Sequence, residues 1–254
     1  MVTINTARCD PPYEERIRWM AEQLVELKPA IVACQEVFVS REARVDTGRR
    51  LAEELGMELA YTPARRKERP WNAIAVQSES GMAILSRVPL SDLDTVHLPS
   101  DRRGGERVAQ IAGVAIDGVR LVVANVHLTH LPNADKLRLL ELRSVLAHPL
   151  LCDKAATRIL CGDFNTTREG PVLCEMAGLQ DCWELGGGSG PRGTVPASGP
   201  PGRCIDYIFA VGGREPATFR NSRIVLDRRD AAGRLASDHL GVMTEILVDQ
   251  EGAA

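Results

Sequence analysis

The chain holds no Cys-x-x-Cys pair. Its seven cysteines, Cys9, Cys34, Cys152, Cys161, Cys174, Cys182 and Cys204, are odd in number. That argues against a structural zinc site and against a disulfide framework. Several lie in apolar runs, where a free thiol behaves as a small hydrophobe, so reduced thiols in a cytoplasmic protein are expected. A basic excess is also missing: 31 Lys and Arg face 34 Asp and Glu, a formal net charge of −3. Nucleic-acid-binding domains usually carry a basic surplus, so only a local basic patch stays open. No basic stretch followed by an apolar one opens the chain, which argues against a secretory signal. No apolar run is long enough to cross a bilayer, and neither a repeat nor a heptad pattern is present.

What the sequence has is a sizeable apolar fraction, 44% of 254 residues, enough for a large core. Its pattern alternates strands and helices. Strands are expected over 2–7, 30–34, 57–61, 72–77, 82–86, 157–160, 204–211, 222–225 and 240–248, and helices over 14–27, 46–55 and 134–146. Segments 108–116 and 119–126 flank Asp117-Gly118, a dipeptide suited to the positive φ angles of a type I′ turn, and predict a hairpin. The Gly-, Pro- and Ser-rich segment 186–202 reads as a mobile loop. It is not read as a domain linker, because the strand after it carries motif residues.

The candidate chemistry sits at predicted strand ends. Asn5 follows Val2 to Ile4, Glu36 follows Ala30 to Cys34, and His127 ends the strand before it. Asp163 and Asn165 follow an apolar β-branched run, Asp206 lies in the 204–211 strand, and Asp238-His239 precede the last strand. Carboxylates that hold Mg²⁺ or Mn²⁺, an amide that fixes an oxygen and a histidine that meets developing charge are the groups phosphoester chemistry needs. Singly, each has an ordinary structural reading. Glu36 or Asp163 serves as a solvated acid or a cap, Asn5 as a turn residue, Asp163-Phe164-Asn165 as an Asx-turn, and His127 as a core histidine. Their joint recurrence at strand ends, on what a sheet would make one rim, points to a site.

In order along the chain, Ile4-Asn5-Thr6, Gln35-Glu36-Val37, Gly81 to Arg87, Asn125-Val126-His127-Leu128, Gly162-Asp163-Phe164-Asn165, Ile205-Asp206-Tyr207 and Ser237-Asp238-His239 resemble the endonuclease/exonuclease/phosphatase superfamily of metal-dependent phosphoesterases. The resemblance implies an α/β four-layer sandwich, two packed mixed β-sheets flanked by helices, as a single domain over residues 1–254. It implies a metal-dependent phosphoric ester hydrolase using Mg²⁺ or Mn²⁺, with Glu36, Asp238 and Asn5 at the metal. Asp163 would activate water, His239 oriented by Asp206 would stabilise the transition state, and Asn165, His127 and Arg107 would contact the phosphoryl group. Arg107 has an equal reading as a surface arginine, and His130 as a loop histidine. Glu79 reads as an exposed loop acid, and His97 and His148 as structural or surface residues.

The substrate follows less directly. His127-Leu128-Thr129-His130 departs from the abasic-site endonucleases of that superfamily, and the chain is short and acidic. A small-molecule or lipid-derived phosphoester is therefore favoured, with a nuclease or DNA-repair phosphodiesterase as the alternative. The basic cluster Arg65, Arg66, Lys67 and Arg69 reads first as a solvated loop and second, with Trp71, as a phosphate-contacting and base-stacking element. A non-catalytic binding module is disfavoured because the acids and histidines are all present. A monomer is expected.

Overall fold

The computed structural model describes residues 1–196, 202–212 and 217–248. Residues 197–201 of the expected 186–202 loop lie outside that range. The first sheet is built from β1 (Val2–Asn5), β2 (Ile31–Ser40), β3 (Val45–Asp46), β4 (Glu58–Trp71), β5 (Ile74–Ser86), β12 (Ala217–Val225) and β13 (Gly241–Val248). Its order is β12-β13-β1-β2-β5-β4, with β3 paired to β2. The second contains β6 (Leu90–His97), β7 (Val108–Ile116), β8 (Val119–His127), β9 (Thr157–Asp163), β10 (Leu179–Asp181) and β11 (Asp206–Val211), in the order β10-β11-β9-β8-β7-β6. Both sheets are mixed, because β1–β2 and β8–β9 pair in parallel and the other pairs are antiparallel.

The layers follow from side-chain parity. Along β1 and β2, Val2, Ile4, Val32 and Cys34 pack under α1 (Tyr13–Leu27) and α2 (Thr47–Leu55). On the second sheet Val122, Ala124, Val126 and Leu160 pack under α3 (Asp135–Leu146), where Leu142 and Val145 cover them. The alternate residues Ile31, Ala33, Val123, Ile159, Cys161, Ile208 and Val242 meet between the sheets. This is the expected four-layer sandwich, and the period of two is what assigns each side chain to its layer. α1 buries Ile17, Met20, Ala21 and Leu24 on one stripe. It ends at Lys28 (φ 48), whose N–H returns to the Leu24 carbonyl, just before Pro29. α2 is capped by the Asp46 carboxylate at its start and by Gly56 in the left-handed region at its end.

Several boundaries differ from those read in the sequence. The 30–34 strand continues to Ser40, because its interruption is a bulge rather than an end. The expected strands 72–77 and 82–86 are one strand, β5, paired along its whole length with β4. The basic cluster therefore lies in a strand and not in a solvated loop. The 222–225 strand is the second half of β12, and β6 was not anticipated. Small helices α4 (Pro149–Cys152), α5 (Pro171–Cys174) and α6 (Cys182–Leu185) fill connections. Among the described residues no helix is long and apolar enough to cross a membrane.

Candidate active site

Three strand ends of the second sheet meet in register. His127 on β8 pairs with Asp163 on β9, and Asp163 pairs with Asp206 on β11. The parity that sends Cys161 and Ile208 between the sheets sends Asp163 and Asp206 the same way, so the mouth of the inter-sheet core becomes polar at this rim. Gly162 makes the close approach possible. Its φ is 133°, and a Cβ there would stand 2.0 Å from the Val126 carbonyl oxygen, so a side chain would push β9 away from β8.

The first sheet supplies the opposite side. β2 carries one extra residue relative to β5 between Cys34 and Val37, and Glu36 within it has φ 54°. Such a bulge re-aims a side chain, and here it turns Glu36 into the cleft. Thr6 holds the distortion by donating its hydroxyl to the carbonyls of Gln35 and Glu36, both at 3.1 Å. The Ser237 hydroxyl donates to Asn5 O at 2.6 Å and accepts from the His239 N–H at 3.2 Å, which places Asp238-His239 beside β1. The two sheets are tied below the rim: Gln35 Nε2 donates to Asn125 Oδ1 at 2.7 Å, and Asn125 Nδ2 donates to the carbonyls of Cys34 and Ala83 at 3.0 and 3.1 Å.

Asn5, Glu36, Arg107, His127, Asp163, Asn165, Asp238 and His239 line one cleft of about 310 Å³. Asp206 lies behind His239, 1% exposed, with Oδ2 2.9 Å from His239 Nδ1 and, among the described residues, no hydrogen-bond partner for Oδ1. Its N–H and that of Ile205 donate to the buried Thr194 hydroxyl. Thr194 comes from the 186–202 segment, so part of that segment supports the site.

Asp163 accepts from Asn5 Nδ2 at 3.1 Å and from the Asn165 N–H at 2.9 Å. Burial first, and then the Asp206 charge, raise its carboxyl to about 7. Burial opposes the charged form of His239, but Asp206, through charge and hydrogen bond, and then Asp163 and Asp238 carry it up to about 10. His127 behaves oppositely. Burial, reinforced by Arg107 and His239, holds it well below 6.5 and hence neutral. Its Nε2 lies 3.5 Å from Asp163 Oδ2 and 3.9 Å from Glu36 Oε1. Asn165 (φ 50°) donates its amide to the Leu128 carbonyl. Arg107 donates to the His127 carbonyl at 3.0 Å and meets His130 Nδ1 at 2.7 Å, so it is built into the cleft wall and is not a loose surface arginine.

Two acid groupings are available to a cation. Asp163, Asp206 and His239 lie close enough together to suggest one, but His239 spends Nδ1 on Asp206 and is held protonated, and an imidazolium offers no lone pair to a metal. That triad is a charge network. Glu36 and Asp238 suit a hard cation better. Both are carboxylates on the same cleft, and burial, opposed by the Arg8 charge but reinforced by that of Asp238, leaves Glu36 raised above its ordinary value. A divalent ion would relieve that repulsion. Asn5 is less free, since its Oδ1 accepts from the Ala7 N–H at 3.0 Å while Nδ2 serves Asp163.

Residues outside the sequence candidates also shape the cleft. Arg8 reaches Glu36 at 3.2 Å. Arg16, buried on α1, ties together the carbonyls of Thr6, Ala7, Asp10 and Ala236 and so fixes the loops bearing Arg8 and Asp238. Its only sequence signal is a charge next to the apolar stripe of α1. Glu79 pairs with Arg66 and contacts no histidine among the described residues. Trp71 is outside the cleft lining, with one face stacked on Phe38 at 5.6 Å and Tyr13 meeting it edge-on at 4.9 Å.

Comparison with solved structures agrees with this architecture. A family protein from Leptotrichia buccalis C-1013-b superposes with a TM-score of 0.78 at 19% identity, covering 97% of this chain and 98% of that one. One from Beutenbergia cavernae DSM 12333 gives 0.77 at 25% identity, over 100% of this chain and 72% of that one. D. rerio TDP2 complexed with single strand DNA product gives 0.73 at 21% identity, over 98% and 99%. No curated protein matches the chain. The model of the Endonuclease/Exonuclease/phosphatase family, whose members are in general hydrolytic phosphoesterases, matches residues 2–239, and the chain belongs to that family.

Proposed function

We propose that this chain is a divalent-metal-dependent phosphoester hydrolase acting through an Asp-activated water and a His-Asp pair. The observation that carries the reading is the convergence of Asp163, His127, His239, Glu36 and Asp238 on one cleft with Asp206 2.9 Å behind His239, and burial with neighbouring charge raises Asp163 and His239 and lowers His127. Environments that push neighbouring pKa values apart assign acid and base roles. Asp163, poised near 7 and held by Asn5 and Asn165, takes the proton of the attacking water. His239 offers Nε2–H to the phosphoryl oxygens as their charge grows, and Asp206 fixes its ring and its charge. His127, Asn165 and Arg107 orient the phosphoryl group. Glu36 and Asp238 would hold Mg²⁺ or Mn²⁺, which when bound supplies Lewis-acid stabilisation of that charge, while Asn5 supports Asp163.

A second reading, a nuclease or DNA-repair phosphodiesterase, is favoured by one observation. The cleft wall is cationic, with Arg8, Arg65, Lys67 and Arg69 facing it, whereas a lipid-derived substrate would call for an apolar wall. The deciding panel is purified protein with Mg²⁺, Mn²⁺ or EDTA on bis-aryl phosphate, aryl phosphate, plasmid DNA, sphingomyelin and inositol phosphates, with Asp163→Asn as control. Hydrolysis that survives EDTA, or an unimpaired control, would remove the proposal.

A further inference from the structure

Beyond Glu79, the last β5 residue paired with β2, the β4–β5 hairpin continues as a two-stranded arm to Trp71 and Ile74. Alternation along β4 puts Arg65, Lys67 and Arg69 on one face, and all three line the cleft. Arg66 points the other way and pairs with Glu79. Arg65 lies against the 104–105 backbone and donates to Gly104 O at 3.2 Å. Arg69 is 5% exposed; its Nη atoms donate to Ser78 and Ser80, and its buried Nε has no partner among the described residues. Arg8 completes the wall.

Among the described residues none of Arg65, Lys67 and Arg69 has a carboxylate within ion-pair distance, and Arg8 has only Glu36. Burial and then mutual repulsion act on the group: Lys67 is pushed down by Arg69, Arg65 and Arg8, and Arg69 first by Arg8. Holding like charges together without counter-charge is costly in the free protein and is relieved when an anion arrives. The phosphate being cleaved already faces His239 and Arg107 and the metal donors. A monoanionic diester leaves Arg65, Lys67 and Arg69 unanswered and Arg8 answered only by Glu36.

We infer that Arg8, Arg65, Lys67 and Arg69 form a second anion subsite, which takes a phosphate of the substrate other than the one being cleaved. This rests on the phosphoesterase reading above, and it narrows the substrate class to phosphoesters that carry a neighbouring phosphate. That chemistry is shared by a polynucleotide chain and by a small polyphosphorylated molecule.

The test uses the 4-nitrophenyl ester of thymidine 5′-phosphate with and without a 3′-phosphate, at fixed metal and ionic strength. In wild type the added phosphate raises kcat/KM about tenfold, through KM, the effect of one good charge-assisted contact. In Arg65→Ala and Lys67→Glu the ratio of the two kcat/KM values falls to one or below, with thermal midpoints confirming the fold. If the gain saturates at one added phosphate, the source is a small molecule; if it grows through di- and trinucleotide esters, the source is a chain. A ratio of one in wild type, or a ratio kept by both variants, overturns the inference. If wild type turns over neither ester, the hydrolase reading fails and calorimetry decides the subsite separately. Thymidine 3′,5′-bisphosphate binding about tenfold tighter than thymidine 5′-phosphate, with the difference lost in Lys67→Glu, supports it. Equal affinities in wild type sink it.

Discussion

Replacing Asp206 by Asn keeps the shape of a side chain that is 1% exposed while removing its charge from 2.9 Å away from His239. His239 stands at about 10 against an ordinary 6.5 even though burial lowers it, with Asp206 the leading cause of the rise. That distance corresponds to about 5 kcal/mol of preference for the imidazolium. Giving Asp206 roughly half, about 2–3 kcal/mol, His239 stays cationic near neutrality but loses that much of its stabilisation and orientation in the transition state, and kcat is expected to fall about 30- to 150-fold. The pH profile gives a sharper readout. On the proposed roles, wild-type activity is expected to rise as Asp163 deprotonates through about 7 and to fall as His239 loses its proton through about 10. Asp206 raises both groups, so in the variant both limbs move to lower pH. The assay is steady-state kinetics across that range on the best substrate of the panel, with circular dichroism as a folding control. A variant with unchanged kcat and unmoved limbs would refute the reasoning.

Glu141, fully buried, accepts the Thr129 N–H and is raised to about 7, mainly by burial. The folded state therefore holds a proton that the unfolded chain releases above 4.5, and stability falls as pH rises from 4.5 to about 7. Glu141→Gln removes that loss, by about 3 kcal/mol at pH 8 and by nothing below 4.5; parallel urea midpoints for the two proteins across pH would contradict it. Gly162→Ala, at φ 133° and with its Cβ 2.0 Å from Val126 O, should cost more than about 3 kcal/mol in urea unfolding and abolish turnover. Mg²⁺ should raise the thermal midpoint of wild type, with Glu36→Gln losing most of the shift; an equal shift in both would move the metal elsewhere.

The fold was legible where local signals agreed. The apolar stripe of α1, the Gly56 cap and the Asp117-Gly118 turn lie where periodicity and turn chemistry put them. β4 reads only as far as residue 61 and β5 as two strands, 72–77 and 82–86, because the charges of the 65–69 cluster read as a loop. Tolerance of proline at β4 comes from its place at the sheet edge, a tertiary fact. The β2 bulge hid in the same way, since an extra residue has meaning only against the partner strand. For the site, motif order brought Asn5, Glu36, His127, Asp163, Asn165, Asp238, His239 and, behind them, Asp206 into view, while Arg107 lies outside the motifs. The depth of Asp206, the neutral state of His127 and the involvement of Arg8 and Arg16 depend on neighbours far away in the chain. The alternation of Arg65, Lys67 and Arg69 was visible and needed only a strand to give it a face.

The Gln35–Asn125 tie bears on how the protein tolerates substitution. Glu36 rides on one sheet, with Asp238 in the loop that leads into β13 of that sheet, while His127, Asp163 and Asp206 ride on the other, so under the proposed function reactivity would measure the alignment of two slabs. A sub-ångström slide between them, seeded by a volume change at a remote position such as Ile159 or Val242, would separate base from cation while every strand stayed paired. Variants of that kind should lose rate well before they lose cooperativity of melting, and the amide clasp between the slabs is where a compensating substitution would restore it.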